Sequence, residues 1–242
     1  MRPALASGST DDIKQYPVWV ERKYDGIRLM LHRSTDDRGS TLCGAYTRNR
    51  GDWIELITGM AATLRMLPAR SAIIDGELYG TVLTPTGMAR PATVYEVHGS
   101  LQGERAGAVN LRFAAFDLLY IEGRDLTELP LAQRRQLLQT LIGPISAMPL
   151  PIPFSVAEGQ LAKSKEDVNR LYQHFRAQGY EGVITKDLQG PYRLAARDPN
   201  WNKKKPVVTL DLVLIGAVLA VTTKDHAGMF GSFVIAAKRA DG

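Results

Sequence analysis

The chain has 242 residues, of which 45% are hydrophobic and 23% charged, a balance that predicts a soluble globular protein with a hydrophobic core and excludes disordered and fibrous classes. The net charge of +5 and the pI near 9.3 suit an acidic partner such as a nucleotide or a nucleic acid, but this excess is compatible with many functions. The single cysteine, Cys43, excludes an intrachain disulfide and a multi-cysteine zinc site and favours a reducing compartment.

The first predicted strands surround residues 21–28 (ERKYDGIR). Residues 18–20 and 27–31 have the β-branched and large apolar side chains typical of strands, so Lys23 is predicted to lie between two strands. The Asp-Gly pair predicts a turn that brings Arg28 back toward whatever Lys23 contacts. A positive neighbour and a partly dry pocket lower the pKa of a lysine, and only a neutral amine attacks phosphorus. Lys23 is therefore a candidate covalent nucleophile; an ordinary charged hairpin is the alternative.

The next predicted element is an amphipathic helix. Asp52, followed by Glu55, resembles a helix start, and apolar residues keep helical spacing from Trp53 to Leu67, where Pro68 stops them. Residues 71–79 predict a buried strand. The following thirty or so residues are rich in Gly, Pro, Thr and Ala and predict a loop.

The second half of the chain predicts strands alternating irregularly with helices. Residues 113–120 form an apolar strand, and a second helix is expected to begin near Pro130 and to end at Gly143-Pro144. Ser164 is expected to cap a third helix that stops at Gly179. The buried stripe of that helix is Val168, Leu171, Tyr172 and Phe175, and a strand follows through Glu181 and Ile184. This order favours an α+β fold of antiparallel sheets over a regular parallel α/β fold.

A change of character after the lysine run 203–205 predicts a domain boundary at Pro206, with domains at 1–206 and 207–242. Two strand-like runs follow, residues 210–221 and 231–238, which are too few for a five-stranded oligonucleotide-binding (OB) barrel. The longest apolar run, 207–221, is interrupted by polar residues and is too short to span a membrane, and the N-terminus lacks the apolar core of a signal peptide. We expect an intracellular protein, cytoplasmic or, in a eukaryote, nuclear, with no membrane partner.

Charged residues occur in clusters, and strand parity predicts which of them share a face. The sequence has no G-x-x-x-x-G-K-[ST] loop and no strand-linked G-x-G-x-x-G, so side chains must hold any nucleotide. Residues two apart in a strand face the same way, which places Asp75 with Glu77, and Lys203 with Lys205. Lys204 is then expected to point away, into solvent or toward a phosphate backbone. Residues 181 and 186 have opposite parity, so only one of the two is expected to face the site unless the strand ends or bulges between them, and Glu181 is preferred.

In this order the charged segments resemble the motifs of the ATP-dependent DNA ligases of the covalent nucleotidyltransferase superfamily. Six segments carry the resemblance, and their collinear order makes a chance match improbable: 23–28 (KYDGIR), 47–49 (TRN), 75–78 (DGEL), 116–119 (FDLL), 181–186 (EGVITK) and 201–205 (WNKKK). The resemblance implies an adenylation domain of antiparallel sheets flanked by helices, followed by a partial OB-fold. It also implies that Lys23 attacks the α-phosphorus of ATP, and that the resulting AMP passes to the 5′-phosphate of nicked double-stranded DNA.

The resemblance also implies roles for the other site residues. The nucleotide would be bound by Glu21, Arg28, Glu77, Phe116, Lys186, Lys203 and Lys205, with Phe116 stacking on adenine and Glu21 or its backbone reading the adenine edge. DNA phosphates would be bound by Arg48 and Arg197. Mg²⁺ would be held by Glu181, the preferred carboxylate, and by Glu77, which could instead contact the metal through water or hold the ribose hydroxyls.

Two alternatives stay open, and the chain departs from the family pattern at one point. An RNA ligase or an mRNA capping guanylyltransferase would share the lysine and the fold, and a noncatalytic nucleotide- or DNA-binding module would keep the scaffold alone. The family continues through a complete OB domain that ends in a basic motif, which this sequence lacks. The chain resembles a family member shortened at both ends, so slow adenylation and poor nick sealing are expected of it.

Overall fold

The computed structural model describes residues 2–103, 108–207, 212–220 and 229–237. They belong to two compact units, Met1–Lys205 and Pro206–Gly242. The larger unit combines two mostly antiparallel sheets with four α-helices and a short 3-10 turn, which confirms the α+β class. Its helices are α1 (Met60–Arg65), α2 (Val94–Leu101), α3 (Leu131–Ser146) and α4 (Lys165–Ala177). Its strands are β1 (Leu5–Ser9), β2 (Val18–Lys23), β3 (Ile27–Thr35), β4 (Thr41–Thr47), β5 (Ser71–Leu83), β6 (Ala89–Pro91), β7 (Asn110–Ile121), β8 (Arg124–Asp125), β9 (Phe154–Val156), β10 (Gly159–Ala162), β11 (Gly182–Lys186) and β12 (Arg197–Lys204).

The seven-stranded sheet carries the main hydrophobic core. Its strand order is β4-β3-β5-β7-β8, with β6 paired to β5 and β9 paired to β7. Alternate residues of its long central strands, such as Leu29, Leu31 and Leu78, are fully buried, as period-2 apolar patterning requires when one face is covered. Helix α3 covers part of this face, with Leu138 and Ile142 in the same cluster.

The five-stranded sheet has the order β1-β12-β11-β2-β10 and its own smaller core against α4. Val20 and Val183 pack there on Leu171 and Phe175 of that helix, and the predicted start of α4 is confirmed because the Ser164 side chain accepts a hydrogen bond from Asp167 N. The strand β1 pairs with β12 in parallel, which brings the first residues of the unit beside its last strand.

The charged-hairpin alternative for residues 21–28 is wrong. Lys23 is the last residue of β2 and pairs with Gly182 in the five-stranded sheet, whereas Arg28 lies on β3 and pairs with Glu77 in the seven-stranded sheet. The turn between β2 and β3 therefore crosses from one sheet to the other. The structure thus places the two cations on different sheets.

The first predicted helix is much shorter than the sequence suggested. Helix α1 begins at Met60, after Gly59 in the left-handed region at φ 87°, and not near Asp52. The Asp52 carboxylate accepts hydrogen bonds from Ala45 N at 3.0 Å and Ile54 N at 3.1 Å, which tie it to β4. Because these two backbone N–H groups bind the Asp52 carboxylate, Asp52 does not cap a helix. Apolar residues of the segment that follows are buried nonetheless.

Two further boundaries differ from the prediction. The segment expected to be a loop after residue 79 contains the end of β5, then β6 and α2. Helix α3 also continues past Pro144 to Ser146, where Ile145 is 2% exposed and its packing favours one more half-turn despite the missing N–H.

Helix α2 begins with a capping box that the sequence analysis missed. Thr93 Oγ1 accepts from Glu96 N at 3.3 Å, Glu96 Oε2 accepts from Thr93 N at 2.9 Å, and Arg90 Nη2 donates to Glu96 Oε1 at 2.6 Å. The hydrogen bond from Arg90, with that from the Thr93 backbone, lowers the pKa of Glu96 to about 2. A capping box of this kind stabilises a helix start because it satisfies two backbone donors.

Removal of this box is expected to destabilise the protein in a pH-dependent way. Thr93→Ala should lower the free energy of unfolding by about 1 kcal/mol. Because folding lowers the pKa of Glu96, the contribution of its charge is complete above the unfolded value near 4.5 and is lost as the pH falls toward 2. Urea unfolding of the wild type and Glu96→Gln should differ most near pH 6 and converge near pH 2; a constant difference would contradict this assignment.

The smaller unit contains an antiparallel pair, β13 (Val213–Leu219) and β14 (Phe230–Ala236). Strand β13 lies within the predicted run 210–221, and β14 begins one residue before the predicted run 231–238. Residues 208–211, 221–228 and 238–242 fall outside the described part of the chain. Across the described ranges, no helix has both the length and the apolar character needed to cross a membrane.

Candidate active site

A cleft of about 310 Å³ in the larger unit collects most of the predicted site residues. Its walls come from both sheets, with β2, β11 and β12 on one side and β3, β5 and β7 on the other. The predicted residues that line it are Glu21, Lys23, Arg28, Arg48, Glu77, Phe116, Lys186, Arg197 and Lys203. Its volume is within the range usual for small-ligand sites.

Lys23 stands at the cleft with a carboxylate beside its amine. Its Nζ forms an ion pair with Glu181 Oε2, and Lys205 Nζ lies 3.7 Å from Glu181 Oε1. The side chains of Lys23 and Glu181 are 22% and 25% exposed, so both are accessible to a ligand. The structure therefore gives Lys23 an acidic neighbour, whereas the sequence suggested the positive neighbour Arg28.

The exception to the parity argument for residues 181 and 186 applies, because strand β11 begins only at Gly182 and Glu181 lies outside it. This glycine has φ 151°, and a Cβ there would lie 2.0 Å from the carbonyl oxygen of Lys204, so only glycine fits between Lys23 and β12. Glu181 precedes the strand and its carboxylate turns toward Lys23. Lys186, at the other end of β11, lines the cleft, whereas Glu181 and Lys205 are not among the residues that line it.

A buried ion-pair network forms one part of the cleft floor. Lys186 is 1% exposed, and its Nζ lies 2.6 Å from Glu21 Oε2. Arg135 Nη1 of α3 donates to the other carboxylate oxygen of Glu21 at 2.6 Å. Burial lowers the pKa of Lys186, and the Glu21 and Asp117 carboxylates oppose that shift. Both carboxylate oxygens of Glu21 are thus engaged by cations.

Arg28 is held by a second network. Its Nε and Nη2 donate to the two oxygens of Asp75 at 3.0 and 2.6 Å, and its Nη1 donates to the carbonyl oxygen of Ala4 at 2.6 Å. Asp75 is completely buried, so it lies below the cleft and does not line it, whereas Glu77 two residues later does. Of the two carboxylates predicted to share a face, only Glu77 is available to a ligand.

Glu77 is a partly buried carboxyl group between two cations. Burial raises its pKa to about 8, although Arg28 and Lys23 both act to lower it. A carboxylate that loses its water in this way gains free energy when a cation or a hydrogen-bond donor approaches it. Among the described residues, no cluster of three or more Asp, Glu, His and Cys side chains is arranged to hold a metal ion.

Phe116 lies at the cleft with cations beside its ring. Lys186 Nζ is 4.5 Å and Arg28 Cζ 5.1 Å from the ring centroid, and the ring of Trp201 meets it edge-on at 6.4 Å. Phe116 is partly buried and lines the cleft, so part of its ring remains free to stack on a planar ligand. Trp201 is 4% exposed and lines the cleft beside it.

The basic residues at the mouth of the cleft differ from those on its floor. Arg48, Arg197 and Lys203 are exposed and, within the described parts of the chain, form no ion pair. The prediction that Lys204 points away from the site is confirmed, and its partly buried side chain contacts helix α4. Its Nζ donates to Asn169 Oδ1 at 2.5 Å and lies 5.1 Å from the Tyr172 ring centroid, both on α4. Unpaired cations are thus concentrated where an anionic ligand would enter.

Sequence reasoning missed the partners that hold the floor in place. Arg134 and Arg135 are buried on α3, and Arg134 forms a fully buried bidentate pair with Asp117 at 2.7 and 2.9 Å. The signal was present in the sequence: both arginines fall on the apolar stripe of the helix between Leu131 and Leu138. An arginine on such a stripe requires a buried carboxylate.

Comparison with known proteins gives consistent matches. A family model described as the ATP dependent DNA ligase domain matches residues 3–205. A DNA ligase of Methanosphaerula palustris is 34% identical over 227 residues, which cover 90% of this chain and 37% of that protein. A probable DNA ligase of Streptomyces avermitilis is 32% identical over 232 residues, covering 92% of this chain and 41% of that protein.

A solved structure has the same fold. A mycobacterial DNA ligase D complexed with ATP and MES superposes with a TM-score of 0.62 at 25% identity, covering 97% of this chain and 67% of that one. The chain therefore spans about two fifths of the length of the two curated relatives.

Proposed function

Because the chain belongs to the ATP-dependent DNA ligase domain family, we propose that it is the nucleotidyl-transfer core of a DNA ligase. Lys23 receives AMP from ATP, and the AMP is then passed to the 5′-phosphate of nicked double-stranded DNA. The observation that carries the proposal is the position of Lys23, whose amine lies at a cleft beside Glu181, with unpaired basic residues at the mouth.

The first step follows from the contacts of the amine. Lys23 must lose a proton before its lone pair can attack the α-phosphorus, and the Glu181 carboxylate is the acceptor in contact with that proton. A nitrogen–phosphorus bond forms while the bond to pyrophosphate breaks, and pyrophosphate leaves with the electron pair. In the later steps the 5′-phosphate displaces Lys23 from AMP, and the 3′-hydroxyl then displaces AMP.

The residues around Lys23 suit phosphoryl transfer, in which catalysis comes mainly from positioning the reactants and from cations that stabilise charge on the phosphates. Phe116 stacks on the adenine, while Arg28, Lys186 and the Glu21 backbone hold the nucleoside end of the cleft. Lys205, whose Nζ lies 3.7 Å from Glu181 Oε1, and Lys203, which lines the cleft, contact the phosphates. The exposed arginines, Arg48 and Arg197, bind the phosphate of the nicked strand.

The carboxylates of Glu181 and Glu77 would hold Mg²⁺. The donor set fits, because Mg²⁺ prefers oxygen ligands and is commonly bound by one or two carboxylates together with substrate phosphates and water. When bound, the ion neutralises charge on the phosphates.

The domain assignment belongs to the same proposal. Residues 1–206 form the nucleotidyltransferase domain, and residues 207–242 are the start of an OB-fold. The protein acts inside the cell, in the cytoplasm or in a nucleus, where nicked DNA and ATP are present.

The test is formation of a covalent adduct. The purified chain is incubated with Mg²⁺ and either ATP or GTP, and its intact mass is measured. We expect the mass to increase by one adenylyl group with ATP and not with GTP, and peptide mapping to place the group on Lys23. A guanylyl adduct would favour a capping guanylyltransferase, and the absence of any adduct at high ATP concentration would favour a noncatalytic binding module.

A further inference from the structure

We infer that Tyr192, together with the first residues of the chain, is a positioning element that fixes the guanidinium of Arg28 so that a single N–H is left for the nucleotide. The inference deepens the proposed function and rests on it for the identity of the ligand. Tyr192 belongs to none of the predicted motifs, and it lies in the irregular segment between β11 and β12.

The Tyr192 hydroxyl joins three separate parts of the chain. It donates to Asp75 Oδ2 at 2.5 Å, and it accepts from Arg28 Nη2 at 3.3 Å and from Ala4 N at 3.0 Å. A phenol has one donor and two acceptor positions, so all of its hydrogen-bonding capacity is used. The tyrosine itself is anchored, because its backbone N donates to Thr127 O at 2.7 Å.

The same contacts account for nearly all the donors of Arg28. A guanidinium has five N–H groups. Two are bound by Asp75, one by Ala4 O and one by the Tyr192 hydroxyl. Among the residues that the structure describes, the second N–H of Nη1 is the one without a partner. Since Arg28 lines the cleft, this is the group it can offer to a ligand.

Burial makes the network rigid. Asp75 and Ala4 are fully buried and Tyr192 is 2% exposed, so water does not compete for these bonds. Loss of the Tyr192 hydroxyl would leave the Ala4 N–H without its acceptor. Asp75 Oδ2 would then accept a hydrogen bond from Arg28 alone. An arginine with one fixed orientation loses less entropy when it binds a ligand than an arginine that must first be ordered.

The test is Tyr192→Phe, which removes only the oxygen and keeps the ring packed on Trp201 at 5.7 Å. We expect the ATP concentration for half-maximal adenylation to rise about tenfold, because hydrogen bonds to charged groups have effects of this size, while the maximal rate changes by less than about twofold. The matched control is Tyr79→Phe, since Tyr79 is also buried (9% exposed) and lies on the same strand as Asp75, but packs on Tyr24.

If Tyr192 had only a structural role, Tyr192→Phe, like Tyr79→Phe, would lower the free energy of unfolding and leave the ATP concentration for half-maximal adenylation unchanged. In an Arg28→Lys background, Tyr192→Phe should add little, because its target has been removed. A second measurement needs no nucleotide: the Arg28 Nε–H signal in a ¹⁵N NMR spectrum should exchange faster with water in Tyr192→Phe and not in Tyr79→Phe. Unchanged ATP dependence and unchanged exchange would overturn the inference. If the wild type forms no adduct, the proposed function fails, and the exchange measurement still decides the role of Tyr192.

Discussion

Replacement of Lys23 by arginine is expected to abolish the covalent adenylyl adduct, with a loss of at least about a thousandfold in rate. A guanidinium keeps its charge at any accessible pH and has no amine lone pair to attack phosphorus. The substitution preserves the positive charge next to Glu181, so the binding of ATP should change far less than the chemistry. Intact-mass measurement after incubation with ATP and Mg²⁺ gives the adduct, and equilibrium dialysis with labelled ATP gives the binding.

The matched control for this experiment is Lys204→Arg. Lys204 is a partly buried lysine close to the site, but its side chain contacts Asn169 and Tyr172 on the other side of the sheet. The Lys204 variant should form the adduct at nearly the wild-type rate. If Lys23→Arg retains the adduct, and peptide mapping finds it on another lysine such as Lys186, then Lys23 is not the nucleophile.

Arg134→Met is expected to lower the free energy of unfolding by about 3 to 5 kcal/mol. Arg134 and Asp117 are both completely buried, and methionine would leave the carboxylate without its charged partner. Urea unfolding monitored by circular dichroism measures the change. The effect on the site should be indirect, because Asp117 lies opposite Asp75 in the register of β5 and β7, directly below the network that holds Arg28.

Two further variants distinguish loss of the buried ion pair from a nonspecific loss of stability. Arg134→Met combined with Asp117→Asn should recover part of the lost stability, since the remaining group is then neutral. Arg90→Gln breaks an exposed ion pair with Glu96 and should cost much less. Equal losses from Arg134→Met and Arg90→Gln would show that the buried pair contributes no more than a surface one.

Local features of the fold could be predicted from the sequence because they depend on neighbouring residues. The long apolar strands, the start of α4 at Ser164 and the α+β class all follow from periodicity and capping. The failures have tertiary causes. Asp52 resembles a helix cap, but its carboxylate is used by the backbone of Ala45, a contact that local pattern does not contain.

The same distinction applies to the site. The sequence supplied the residues that line the cleft, because their motifs are short and contiguous. It did not supply their geometry: Lys23 and Arg28 lie on different sheets, and Gly182 removes Glu181 from the strand whose parity was used. The anchoring residues Tyr192, Arg134 and Arg135 were missed because their partners are distant in sequence. Of these three, only Arg134 and Arg135 could have been recognised from the sequence, because they lie on the apolar stripe of α3.

The parallel pairing of β1 with β12 has a consequence for biosynthesis. Leu5 lies opposite Arg197, so nearly the whole unit must be translated before the first strand finds its partner. Contacts between such distant residues form slowly, because a long loop must close before any of them is gained. Until then Ala4 cannot hold Arg28, and a nascent chain that already contains Lys23 still lacks a finished nucleotide pocket. Ribosome-bound intermediates of this protein should therefore remain unable to react with ATP until the last strand of the unit emerges.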